Sequence, residues 1–185
     1  MPLDPFRLLL DQNFPKPPGF DLRDVDESIE AVHVHDFDAS LTEAETPDWY
    51  LYLRAAEAGF DAFVTRDASQ TALDAEMWVL TRIRILLVTF RSRLEDPVAE
   101  WGQILAFLPL LRDRAAQGGG SRVLLLPRPQ LSESRSETQP TDRFARLADD
   151  LGLSQRQARR DVRQRVLTFL ADRGEEQRFN RLLKL

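Results

Sequence analysis

The stretch that most constrains this chain is residues 83–90, IRILLVTF, which is apolar at both odd and even positions. Successive side chains of a strand point to opposite faces, so a run of this kind is buried on both sides. That is the habit of parallel sheets covered by helices. Shorter runs of similar character lie at 7–11 (RLLLD), 31–35 (AVHVH) and 60–65 (FDAFVT), and 123–126 suits an edge strand. Helical stretches fall between them. Thr46 is placed to cap the first, with Pro47 at its first position and Gly59 at its close; Trp49, Tyr52, Leu53 and Ala56 recur there at helical spacing. Residues 69–80 read as a second helix. Asp96-Pro97 opens a third, with Trp101, Ile104, Leu105 and Leu108 inward, a kink at Pro109, and Gly118–Gly120 as its stop. Strands alternating with helices predict an α/β fold, a three-layer sandwich around a central, mostly parallel sheet.

Residues 130–141 (QLSESRSETQPT) are polar and rich in Ser, which reads as a linker. The chain thus divides into a domain over 1–129, a linker over 130–141 and a helical extension over 142–185. Charge divides along the same line. Residues 1–141 carry 14 Lys/Arg and 23 Asp/Glu (14 − 23 = −9), whereas 142–185 carry 11 and 7 (11 − 7 = +4). The extension is therefore the better surface for gripping phosphate. With no cysteine, disulfides and thiolate metal sites are excluded, which suits a reducing cytoplasm. The opening MPLDPFRLLLDQNF has no signal-peptide pattern, and no run approaches the roughly 20 apolar residues of a spanning helix. The expectation is a soluble cytoplasmic protein with no membrane partner.

Three acids stand out by position. Asp11 ends the first strand, Asp67 follows the third, and Asp48 lies in the first turn of the helix leading into that third strand. Functional groups of parallel α/β sheets gather at the carboxyl ends of the strands. The helix before the third strand runs back against it, so its amino end returns to the same rim. Carboxylates brought together repel, and a hard cation with oxygen ligands, Mg²⁺ or Mn²⁺, is the simplest remedy. Each acid alone has a plainer reading: Asp48 complements its helix dipole, Asp67 caps the following helix, and Asp11 bonds its own turn. Asp36, Asp38 and Asp74 are further candidate ligands.

These segments resemble the PIN-like nuclease family. The run Leu8-Leu9-Leu10-Asp11-Gln12-Asn13-Phe14-Pro15 is similar to its opening strand and acid turn, and Val32-His33-Val34-His35-Asp36 to its second strand. Thr46-Pro47-Asp48, with Arg54-Ala55-Ala56-Glu57-Ala58-Gly59, resembles its acid-bearing helix. Phe63-Val64-Thr65-Arg66-Asp67 resembles its third strand and second strand-end acid, and Leu86–Arg91 its fourth strand. The likeness covers about residues 6–115 in order. It implies a metal-dependent endoribonuclease, in many relatives the toxin of a bacterial toxin–antitoxin pair, with RNA as substrate and a cognate antitoxin or a second copy as partner. Asp11, Asp48 and Asp67 would be the catalytic metal ligands, supported by Asn13, Thr65, Arg66 and His33. Arg66 would touch RNA phosphate or pair with Asp67. Gln12 stands where the family often has Glu, and Ser69 where a further Asp is common. Fewer acids imply one tightly held metal, weak activity or none, which leaves open a degenerate module used for binding or regulation.

His33 and His35 fall on one face of the second candidate strand. They lack a third zinc ligand, so a hydrogen-bonded histidine at the site rim is the plainer reading. In the extension, Phe144–Ser154 followed by Arg159-Arg160-Asp161-Val162 resembles a helix-turn-helix, which would aim Gln155, Arg156, Arg159 and Arg160 at nucleic acid. That reading makes the chain a DNA-binding regulator. The alternative is a charged helical hairpin packing through Phe144, Leu147, Leu151, Val162, Val166, Phe169 and Leu170.

Overall fold

A computed structural model describes residues 4–16, 26–43, 45–72, 74–91, 96–117, 122–127, 136–138 and 142–183. Five strands run parallel: β1 (Phe6–Leu10), β2 (Ile29–His33), β3 (Ala62–Val64), β4 (Leu86–Phe90) and β5 (Arg122–Leu126). They lie in the order β2-β1-β3-β4-β5, and a short β6 (Ser136–Thr138) pairs antiparallel outside β5. So β5 is not an edge, and part of the stretch read as linker is a strand. The rest of residues 130–141 and Gly118–Gly120 lie outside the described residues.

Strand alternation sorts the sheet into two faces. Leu9, Phe63, Leu87 and Val123 face one helical layer. Leu8, Leu10, Ala62, Val64, Leu86, Val88, Leu124 and Leu126 face the other, where Trp101, Ile104, Leu108 and Leu111 of α4 (Pro97–Ala116) cover them. Asp96 caps α4, its side chain accepting from Val98 N at 2.9 Å, and the helix continues through Pro109. The layer over Leu9 and Phe63 is built by α2 (Asp48–Glu57) and α3 (Asp74–Leu80). The architecture is thus an α/β sandwich of three layers.

Several boundaries differ from those read in the sequence. The second strand ends at His33, because the His33 imidazole accepts from His35 N and opens a four-residue helix, α1 (Val34–Phe37). His35 is therefore not on a strand, although its ring still stacks on His33 with centroids 5.2 Å apart. Helix α2 begins at Asp48 with Pro47 as its cap residue and no capping side chain, so Thr46 does not cap it. The helix expected over 69–80 is a 3-10 turn at Ala68–Ala72 followed by α3.

The carboxyl-terminal segment forms three helices: α5 (Asp142–Leu151), α6 (Gln155–Asp172) and α7 (Glu176–Leu183). Gly152, at φ 63°, ends α5, and Ser154 with Gln157 forms a reciprocal capping box at the start of α6. Phe144, Leu147, Val162, Val166, Leu170, Phe179 and Leu183 are buried in the same core as α2 and α3, whereas Leu151 is exposed. Helix α6 packs along α3, and α7 reaches α2. That explains why α2 buries Trp49 and Tyr50, whose rings meet Phe169 of α6, besides the inward Tyr52 and Leu53. The rings of Phe169 and Phe179 lie against Tyr50, whose hydroxyl donates to Glu175 at 2.5 Å. Arg178 of α7 clamps Glu57 of α2 at 2.6 Å. Among the described residues, no helix is long and apolar enough to cross a membrane.

Candidate functional site

In the order 2-1-3-4-5, the chain leaves β1 toward β2 on one side and returns to β3 on the other. The crevice between the carboxyl ends of β1 and β3 is therefore the switch point where open α/β sheets bind their ligands. Asp11 and Thr65 stand there. Leu10 pairs with Val64, and Asp11 N donates to Val64 O at 2.9 Å, so both residues step off their strands side by side. The Thr65 hydroxyl donates to Asp11 Oδ2 at 2.7 Å, and Gln12 N donates to Asp11 Oδ1 at 2.7 Å. Thr65 Oγ1 also accepts from Asp67 N at 3.0 Å, which ties the second acid's backbone to the first acid's carboxylate through one hydroxyl.

Asp11 is 1% exposed. Burial raises its pKa, opposed by the Thr65 and Gln12 hydrogen bonds; the charge of Asp67 adds to the rise. Asp48 stands at the amino end of α2, as the helix direction requires. Its pKa is pushed up to about 6, first by burial, then by the negative charges of Asp11 and Asp67. A hydrogen bond from Gln70 acts against the rise, and Gln70 in turn accepts from the Tyr52 hydroxyl at 2.7 Å. Tyr52 is fully buried and held well above its ordinary pKa by burial and then by the surrounding acids. The three acids read from the sequence thus share one electrostatic neighbourhood.

A fourth acid belongs to it that the sequence reading passed over. Glu76 in α3 is 5% exposed, and burial followed by the charges of Asp48 and Asp74 raises its pKa to about 7. The signal was Met77-Trp78-Val79-Leu80, four consecutive apolar residues in a helix, which mark a helix buried on all sides. An acid inside such a helix is buried with it.

The remaining candidates have local roles. Asp67 accepts from Ser69 N at 2.8 Å and Ser69 Oγ at 2.6 Å, capping the 3-10 turn that follows. Arg66 Nε donates to Glu100 Oε1 at 2.9 Å and a terminal nitrogen donates to Asn13 O at 3.2 Å. The Asn13 side chain is exposed. His33 is buried at the rim, with Nε2 3.1 Å from Phe14 O, and burial lowers its pKa. Asp36 is salt-bridged to Lys16, Asp38 caps Ser40 and pairs with Arg54, and Asp74 pairs with Arg165 at 3.9 Å.

The donor set is suited to a hard divalent cation: carboxylates under mutual repulsion, with hydroxyls beside them. Thr89 on β4 adds an orphan. It follows Leu87 by two residues and so shares the face of Asp11 and Thr65, one strand beyond Thr65 and two beyond Asp11; it is fully buried, and among the described residues its hydroxyl finds no partner. A buried unsatisfied hydroxyl on the sheet face that carries Asp11 fits a bound water, including one held by a cation. Among the described residues, no three His, Cys, Asp or Glu side chains are already drawn together tightly enough to chelate a metal. A cation would therefore bind partly through its own waters or draw the acids inward. No family model, no curated protein and no solved structure matches this chain.

Proposed function

We propose that this chain is a metal-dependent endoribonuclease of the PIN-like type, with Asp11, Asp48 and Asp67 holding Mg²⁺ or Mn²⁺. The observation that carries the reading is Asp11 at the β1/β3 switch point, with the charge of Asp67 acting on Asp11 and the charges of both acting on Asp48. When bound, the metal supplies a water of lowered pKa and stabilises charge on the scissile phosphate. The chain's own residues prepare for that. Thr65 fixes the Asp11 carboxylate on β1 and the Asp67 backbone after β3 in one arrangement. Gln70, braced by Tyr52, orients Asp48. Glu76, buried in the same neighbourhood with its pKa raised to about 7, is suited to take up a proton released there.

The test is cleavage of a labelled RNA by the full chain with Mn²⁺, beside Asp11→Asn and beside wild type in excess chelator. Cleavage should require the metal and disappear in Asp11→Asn. Cleavage that survives both controls would overturn the reading. RNA binding without any metal-dependent cleavage would point instead to a degenerate binding module.

A further inference from the structure

One face of α6 carries Arg156, Arg159, Arg160 and Arg163 at positions i, i+3, i+4 and i+7, and all four are exposed. That face does not stand free. With Gln155 it forms one wall of a groove of about 660 Å³, whose other wall is Trp78 of α3 and Arg82 just past its end. Five guanidiniums thus line one groove. Among the described residues no acid pairs with any of them. Two are held by aromatic rings, Arg82 over Trp78 at 5.4 Å and Arg159 over Phe144 at 5.3 Å, which reduces their freedom before a ligand arrives. The two acids of this helix lie elsewhere. Asp161 lines a separate groove with Gln164, Arg165, Thr168, Phe169 and Asp172.

Five like charges gathered in one groove without counter-charges call for a polyanion. A duplex reader must push its helix into a major groove about 12 Å wide, but here α3 walls the arginine face of α6. A flexible single strand fits such a trough. The trough is also close to the acids. Arg165, further along α6, reaches Asp74 at the start of α3, and Trp78, which lines the trough, is two residues from Glu76 on the same helix, roughly 3 Å of helical rise. We propose that the α3/α6 groove binds the phosphate backbone of single-stranded RNA and leads it to the acid site; the choice of RNA rests on the function proposed above, and the anion-binding groove does not.

The test is binding by the full chain in EDTA, which silences cleavage. Labelled single-stranded RNA is titrated across a salt series against wild type, against the triple variant Arg159→Gln, Arg160→Gln, Arg163→Gln, and against Arg181→Gln, an exposed arginine of α7 outside the groove. Each single-strand phosphate contact contributes about 0.7 to the slope of log affinity on log salt. Losing three contacts should flatten the slope by about 2 and, at low salt, weaken binding by tenfold or more. Arg181→Gln should leave both nearly unchanged. Arg82→Gln, just past the end of α3, should weaken binding on its own. Circular dichroism of the triple variant separates lost contacts from lost fold. Equal affinity and slope for wild type and a folded triple variant would overturn the proposal, as would preference for duplex DNA of the same length. If groove-dependent RNA binding stands while Mn²⁺ yields no cleavage, the nuclease reading fails and the groove remains.

Discussion

Replacing Asp48 by Asn should stabilise the metal-free protein at pH 8, and by only about a third as much at pH 4.5. Asp48 moves from 3.8 unfolded to about 6 folded. At about 1.4 kcal/mol per unit, ionising it in place costs about 3 kcal/mol. The side chain is partly accessible to water, so screening reduces this to an expected 1–2 kcal/mol, roughly. The direction follows from proton counts. Between about pH 4 and 6 the folded carboxyl keeps a proton that the unfolded chain has lost. The native state then binds more protons, so stability falls as pH rises through that window. Glu76, shifted from 4.5 to about 7, extends the fall toward neutrality. Its shift includes the repulsion from Asp48, so the gains of Asp48→Asn and Glu76→Gln should be less than additive. The assay is urea unfolding in EDTA at both pH values, comparing midpoints at constant m. Mn²⁺ added to wild type at pH 8 should recover at least as much stability, and Asp48→Asn should blunt that recovery. A variant less stable than wild type at pH 8, or equally improved at both pH values, would refute the argument that repulsion and burial set the state of this group.

Two further outcomes follow from the packing. Thr65→Val removes the hydroxyl that orients Asp11 and receives Asp67 N, and should weaken Mn²⁺ binding by about 10–100-fold, read by calorimetry, with little change in fold. Phe179→Ala empties a fully buried site between α7 and Tyr50 and should cost about 3–5 kcal/mol in urea unfolding; a cost below 1 kcal/mol would mean that α7 is not anchored there.

The sheet was legible because β1, β3 and β4 are short apolar runs ended by polar residues, and the rim position of Asp11 and Asp67 follows directly from that. Asp48 was legible because a helix antiparallel to its strand must begin at the same rim. Val34 and His35 were misread because Val-His-Val-His alternates like a strand; a local bond from His35 N to the His33 ring turns the chain instead. Arg66 could not be assigned, since Glu100 lies 34 residues away on a helix of the opposite layer. The arginines of α6 were visible as a periodic face. Their other wall, Trp78 and Arg82, depends on how α6 lies along α3, which no local pattern encodes.

The clamp of α7 on α2 bears on the order in which the molecule matures. Asp48 and Glu76 ride on helices whose outer faces are closed by side chains made more than ninety residues later, Phe169 and Phe179 among them. During synthesis the sheet strands and α4 are complete well before that cover exists, and chains emerge amino end first. Until residue 183 has been added, α2 and α3 present Trp49, Tyr50 and Trp78 without their native cover. A growing chain should therefore carry this apolar face exposed until its last helices have been made.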